Sequence, residues 1–351
     1  MNFIDSALSF DIYAGEPGRD GVQGVTYLPD GKVKIRLIAP NAKEVVIDQF
    51  GRVSPLAKAE DGAWEAVLDL GRGFQYLFVK VDGCEMLSPY LPIGFGACRP
   101  MNYVDVPYES NVPDEITDVP HGAVERRWYY STVTEKYESC LVYLPAGFDT
   151  AKKYPVLYLQ HGYGENETGW VYQGHVARIA DNLFADGKAE PMLIVMGNGM
   201  TRCEHRRDFR VFPDVLLNDL IPYIESSFNV YTDSLHRAMA GLSMGSFQTS
   251  VVTLTHPDMF SYAGVFSGFV SSPRAGEGNE HLALLKDRET FNKSFRVFYR
   301  AMGKADTYFN RFVDDDPMFT GLNAQRAEFE GGHEWNVWRQ CIADFLPKLF
   351  K

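Results

Sequence analysis

Cysteine is scarce in this chain and is arranged for neither cross-linking nor metal binding. Its five residues (Cys84, Cys98, Cys140, Cys203 and Cys341) are odd in number, scattered, and include no C-x-x-C pair. That pattern argues against a disulfide framework or a zinc site and for reduced, mostly buried thiols. No uninterrupted apolar run approaches the length of a membrane span. Basic charge is in deficit, with 34 Lys and Arg against 46 Asp and Glu for a net charge of -12. A field of that sign repels phosphate, so neither nucleic acid nor an anionic membrane is an expected partner. Met1-Asn2-Phe3-Ile4-Asp5 lacks the basic and apolar regions of a signal peptide. A cytoplasmic location is therefore expected, unless a leader has been trimmed.

Core-building material is plentiful. The 351 residues are 45% hydrophobic and 14% aromatic, enough for two domains and too many for one ordinary core. The first part is written in short strands. Residues 33–38 alternate polar and apolar, and 45–48, 63–68 and 74–81 follow as β-type runs. Asp30-Gly31, Asp61-Gly62 and Asp82-Gly83 punctuate them as turns. This predicts a small antiparallel β-sandwich over residues 1–108. Prolines and acids over 109–122 mark a linker.

From residue 123 the pattern changes. An antiparallel pair (126–133 and 139–144) precedes buried-strand runs at 156–159, 192–196, 238–240, 263–266 and 297–299. Helical runs at 176–185, 215–228, after 243, and 335–350 alternate with them. Apolar strands alternating with helices predict an α/β domain over 123–351, a mostly parallel sheet covered on both faces. Sites in such sheets lie at the carboxyl ends of the strands.

One of those strand ends carries Ala240-Gly241-Leu242-Ser243-Met244-Gly245, a G-x-S-x-G between a strand and a helix. This is the setting of a nucleophile elbow: a serine on a strained turn needs glycine two positions away on each side. The turn also aims free helix N–H groups at the reacting centre, where an oxyanion would form. Ser243 needs a base. His333, in the loop Gly331-Gly332-His333-Glu334-Trp335 before the last helix, is the best placed. His161 looks valuable for its turn geometry, and His256 sits at a helix end before Pro257. A zinc-protease reading of His333-Glu334 fails because position 337 is Val. The orienting acid should fall between serine and histidine, and Asp306, after the strand at 297–299, is favoured. Asp314-Asp315-Asp316 is the alternative, although three adjacent acids more often form a solvated face.

In this reading Ser243 attacks an ester carbonyl, His333 moves the proton and Asp306 fixes the imidazole. Met244 and Tyr163 would donate backbone N–H groups to the oxyanion. Gly162 and the aromatics Trp170, Trp335 and Phe269 are candidate substrate contacts, with Tyr163 and Phe247 as further aromatic wall. Arg202, Arg206, Arg207 and Arg210, mixed with Glu204 and Asp208, read as a self-paired solvated loop. No phosphate loop is expected, because no Gly-Lys-Ser/Thr follows Gly162.

These landmarks share a family order: Tyr154 through Gly164 with Trp170 downstream, the elbow, Met259-Phe260 through Ser267-Gly268, Gly303-Lys304-Ala305-Asp306, and Gly331 through Arg339. Residues 123–351 resemble the carbohydrate-esterase family 1 and esterase D group of α/β-hydrolases, which includes feruloyl esterases. Ala39 through Val45, Gly62-Ala63-Trp64 and Val81-Asp82-Gly83 make residues 20–108 similar to an early-set immunoglobulin-like module of the carbohydrate-binding family 48 type. The resemblance implies hydrolysis of hydroxycinnamoyl or acetyl esters on plant xylan, without metal or cofactor. Its implied partner is a small-molecule or oligosaccharide ester, and a homo-oligomer is compatible with it. Ser246 stands where the family often has a second glycine, and the stretch between Asp306 and His333 is compact and acidic. The competing readings are a catecholate-trilactone (siderophore) esterase and a carbohydrate-binding protein with an inactive hydrolase domain.

Overall fold

Two strands, Val33–Ile38 with alternating burial and Gly73–Val81 with buried stretches at 73–74 and 77–79, set the architecture of the first part of the chain. The computed structural model describes residues 23–203, 206–207, 210–271 and 278–351, with backbone alone at 202–203 and 206–207. It divides into two compact units, residues 1–111 and 112–351. In the first unit a four-stranded sheet is built from Gly24–Tyr27, Val33–Ile38, Ala63–Leu68 and Ala57–Lys58. A second sheet is built around Val45–Gln49, Gly73–Val81 and Arg99–Val106. Val33, Ile35 and Trp64 of one sheet share a core with Ile47, Leu77, Val79 and Val104 of the other, so the unit is a sandwich. At the predicted Asp82-Gly83 turn both residues have positive φ, 50° and 79°, the requirement of a tight hairpin turn.

The second unit holds an eight-stranded sheet, numbered here by itself: β1 Ala123–Ser131, β2 Lys136–Leu144, β3 Val156–Gln160, β4 Leu193–Gly197, β5 Arg237–Leu242, β6 Tyr262–Phe266, β7 Val297–Gly303 and β8 Ala324–Phe329. Its order is β1-β2-β4-β3-β5-β6-β7-β8. β2 runs antiparallel to both neighbours, and every pairing from β4 to β8 is parallel. Strands β3 to β7 are buried at every position, because helices cover both faces. Three of those helices matter for the site: α1 (Val176–Ala185), α2 (Met244–Thr255) and α3 (Trp335–Phe345).

Two differences from the sequence reading stand out. β8 was not among the expected strands. It is an edge strand whose burial never becomes complete, so Gln325, Arg326 and Glu328 give it a polar face instead of an apolar run. The expected linker 109–122 is largely part of the second unit. Asn182 of α1 donates from Nδ2 to the carbonyls of Pro113 and Glu115 at 2.8 and 2.9 Å. The neighbouring Asp181 accepts from the Gly122 N–H at 2.8 Å and lies 3.0 Å from His121 Nδ1.

Candidate active site

β5 ends at Leu242 and α2 starts at Met244, which leaves Ser243 alone on the turn between them. Its backbone sits at φ 51°, ψ -114°, a strained region for a residue with a side chain. The flanking glycines are sterically required. A Cβ on Gly241 would lie 2.5 Å from the Gly245 carbonyl, and one on Gly245 would lie 2.7 Å from the carbonyl oxygens of Gln160 and His161. The Ser243 N–H is tied to the Phe266 carbonyl of β6 at 2.9 Å.

His333 and Asp306 arrive from two loops at the same sheet end, and the loops are laced together. Lys304 N–H donates to the Phe329 carbonyl at 2.8 Å and Ala305 N–H to the Gly331 carbonyl at 2.9 Å. Gly303 is required for that approach, since a Cβ there would meet Gly331 O at 2.4 Å. The result is a linear chain of side chains. His333 Nε2 lies 3.0 Å from Ser243 Oγ, and His333 Nδ1 lies 2.8 Å from Asp306 Oδ2. A carboxylate oxygen only accepts, so the Nδ1 proton faces Asp306 and the Nε2 lone pair faces the serine hydroxyl. The Asp306 side chain is 0% exposed, and its Oδ1 accepts from the Tyr308 N–H at 2.9 Å.

Two of the three competing acids have other partners. Asp315 is buried and accepts from the Val270 N–H at 3.0 Å, and burial raises its pKa. Asp316 pairs with Arg300 and Arg326 at 2.8 and 3.0 Å. His161 is enclosed too. Gly199 N–H donates to its Nε2 at 2.9 Å, which leaves the Nδ1 proton for the Gly162 carbonyl at 2.8 Å. Burial depresses its pKa, so it acts as a neutral clamp between the 161–165 turn and the loop after β4.

That turn lies against Ser243. A Cβ on Gly162 would lie 3.5 Å from Ser243 Cβ, and the Gly162 N–H is held by Glu165 Oε2 at 3.0 Å. Tyr163, next along the turn, is 65% exposed. Met244, on the other side, is the first residue of α2, where helix N–H groups lack an intrahelical acceptor. The positions expected to supply oxyanion donors therefore flank Ser243.

Two candidate substrate contacts are corrected. Trp170 and Trp335 are 1% and 2% exposed and pack edge to face with centroids 5.3 Å apart. Buried to that extent they have no surface for a ligand; they support the site from beneath. Phe247 is likewise buried, against His281. Phe269 is partly exposed, as a contact residue must be. Sequence reasoning missed Tyr308 and Trp338, whose rings stand edge-on to His333 on centroids 5.2 Å away in each case. The signal for Tyr308 was an aromatic two residues after the acid. Ser246, the noted departure, donates from Oγ to the Ser243 carbonyl at 2.5 Å. In the arginine loop Arg202–Cys203 pairs antiparallel with Arg206–Arg207; Glu204 and Asp208 lie outside the described residues. Among the described residues no group of three or more His, Cys, Asp or Glu could hold a metal ion, and no helix is long and apolar enough to cross a membrane.

An endo-1,4-beta-xylanase/feruloyl esterase of Xylanibacter ruminicola is 32% identical over 353 residues, covering 92% of this chain and 45% of that protein. The chain thus spans less than half the length of that relative. A ferulic acid esterase of known structure is 26% identical with a TM-score of 0.58, covering 65% of this chain and 97% of that one. The enterobactin esterase FES of Shigella flexneri is similar in fold, with a TM-score of 0.64 at 14% identity over 94% of this chain and 96% of that one. Residues 131–349 match the model of the family described as "Putative esterase". The chain belongs to this esterase family, as a serine esterase of the α/β-hydrolase fold.

Proposed function

We propose that this esterase removes hydroxycinnamoyl groups, feruloyl above all, from plant xylan-derived saccharides, with Ser243, His333 and Asp306 as its catalytic triad. The observation that carries the chemistry is the alignment of Ser243 Oγ, His333 and Asp306 through contacts of 3.0 and 2.8 Å. The likeness to a xylanase/feruloyl esterase over 92% of the chain supports the acyl group and the saccharide.

In this reading Ser243 Oγ attacks the ester carbonyl carbon as its proton passes to His333 Nε2. Asp306 stabilises the imidazolium and holds its tautomer. The carbonyl oxygen becomes an oxyanion held by the Met244 and Tyr163 N–H groups, each worth on the order of 100- to 1000-fold in rate. Collapse breaks the ester C–O bond, and the Nε2 proton leaves with the sugar hydroxyl. Water then attacks the acyl-serine, gives its proton to His333, and the acid departs as Ser243 regains its hydrogen.

The test is hydrolysis of methyl ferulate, an acetylated xylan and a catecholate trilactone by the wild type and Ser243→Ala. Cleavage of ferulate that is abolished in Ser243→Ala is expected. Turnover of the trilactone without ferulate would redirect the substrate, and unreduced hydrolysis in Ser243→Ala would remove the serine from the mechanism.

A further inference from the structure

Beyond β6 the chain makes a turn that the nucleophile itself dictates. Ser267 has φ 43° and its N–H donates to the Ala301 carbonyl at 2.7 Å. Gly268 then passes so close to the elbow that a Cβ on it would lie 1.5 Å from Ser246 Oγ and 3.3 Å from the Ser243 carbonyl oxygen. Phe269 follows immediately, and its side chain is partly exposed. One face of that ring is already covered. The guanidinium carbon of Arg311 lies 3.4 Å from the Phe269 centroid, and Arg311 Nη2 donates to Ser271 Oγ at 3.3 Å. The cation fixes the ring in place.

Tyr308 completes the surface. Its ring stands 5.6 Å from Phe269 and 5.2 Å from His333, centroid to centroid, at steep angles of 66° and 75°. It is 42% exposed, whereas Trp338 on the same imidazole is buried. From Ser243 outward, the rings of His333, Tyr308 and Phe269 thus follow one another, each in contact with the next. We propose that Phe269 and Tyr308 form the acyl-side specificity wall, which receives a planar aryl group conjugated to the ester carbonyl, with Arg311 as the positioning residue for Phe269. A hydroxycinnamoyl group extends its ring one vinyl unit beyond the carbonyl and can lie along this wall, edge to face with Tyr308. An acetyl group ends before reaching it. The inference rests on the aryl-acyl reading above and names the residues that would enforce it.

The side chain of Tyr308 can be removed without touching the acid, because Asp306 is held by the main-chain N–H of residue 308. The experiment therefore compares kcat/KM for methyl ferulate and for 4-nitrophenyl acetate in the wild type, Phe269→Ala, Tyr308→Ala, Tyr308→Phe and Arg311→Met. The ferulate-to-acetate ratio is expected to fall about tenfold in each alanine variant and less in Arg311→Met, and to hold in Tyr308→Phe. A ratio that stays within about twofold of the wild type in both alanine variants overturns the wall while leaving the feruloyl reading standing. A wild type that cleaves the acetate and no hydroxycinnamoyl ester overturns the feruloyl reading before any variant is made.

Discussion

The carboxylate of Asp114 lies 3.2 Å from Arg339 Nη1, and so joins a segment outside the family match to the helix that follows His333. Arg339 is buried, and its Nε donates to the Gln173 carbonyl at 2.8 Å. Asp114 also lies 3.2 Å from His175 Nδ1, at the left-handed residue that starts α1. Asp114→Ala takes an anionic partner away from a buried guanidinium, which typically costs about 3 kcal/mol or more. Urea unfolding of the full chain should show the hydrolase transition shifted by about that amount. Because Trp338 precedes Arg339 on α3 and packs on His333, kcat should fall more than KM rises. A midpoint equal to the wild type would show that the segment is dispensable.

Asp306 and Asp316 should separate rate from stability. Asp306→Asn offers His333 an amide, which can turn its N–H toward Nδ1 and favour the wrong tautomer; a loss in kcat on the order of 10³- to 10⁴-fold is expected. Asp316→Asn weakens the anionic partner of Arg300, whose side chain is buried between the Phe312 and Phe319 rings. Its expected effect is a stability loss of about 3 kcal/mol, at the low end for a buried pair because Asp316 is one-third exposed, with turnover retained. Steady-state kinetics and denaturation of both variants decide the matter; the opposite pattern would move the orienting role to the acidic run.

The strands from β3 to β7 were legible because burial on both faces writes them as apolar runs, VLYLQ and LIVMG among them. β8 was not, since an edge strand with solvent along it can be AQRAEF and lose nothing. The elbow was legible for a steric reason: Gly241 and Gly245 admit no Cβ. Aromatic residues were where sequence reasoning failed. Trp170 and Phe269 look alike as letters, yet one donates its indole N–H to the Gln160 carbonyl at 2.8 Å inside the core and the other reaches the rim. Side-chain exposure depends on what crosses above a residue, and that partner is distant in sequence. The same applies to Tyr308, whose neighbour His333 is brought to it only by the lacing of the β7 and β8 loops.

Stability should decline on mild acidification. Burial depresses the pKa of both His161 and His281, against the opposing effects of their bonds to the Gly162 and Val270 carbonyls. Unfolded, each titrates near the ordinary 6.5. Below that pH the unfolded chain binds protons that the folded chain refuses. The contribution is therefore fully present above about 6.5 and is lost as pH falls toward the folded values. Each histidine adds up to about 1.4 kcal/mol per pH unit to the slope. Unfolding midpoints between pH 7.5 and 5 should show it, and His281→Gln should flatten the slope. An unchanged slope in that variant would mean that His281 takes up its proton in the folded state.

The tightest contact of the elbow gives a reciprocal test. Gly268→Ala would put a methyl 1.5 Å from Ser246 Oγ and 2.6 Å from Ser246 Cβ, both impossible without movement. What must move is either the first turn of α2, which carries Ser246 and the Met244 N–H, or the turn that carries Phe269. A displacement near 1 Å at a reacting centre can cost roughly 100-fold in rate, and a loss of that order in kcat/KM is expected. Ser246→Gly alone removes the Oγ bond to the Ser243 carbonyl, and its effect should be modest because the N–H of residue 246 still donates to that carbonyl at 3.1 Å. In the double variant the nearest remaining contact is the Ser243 carbonyl at 3.3 Å, which can be relieved by a few tenths of an ångström. Ser246→Gly should therefore restore most of the activity lost in Gly268→Ala. Two losses that simply add would show that Gly268 acts through something other than its fit against Ser246.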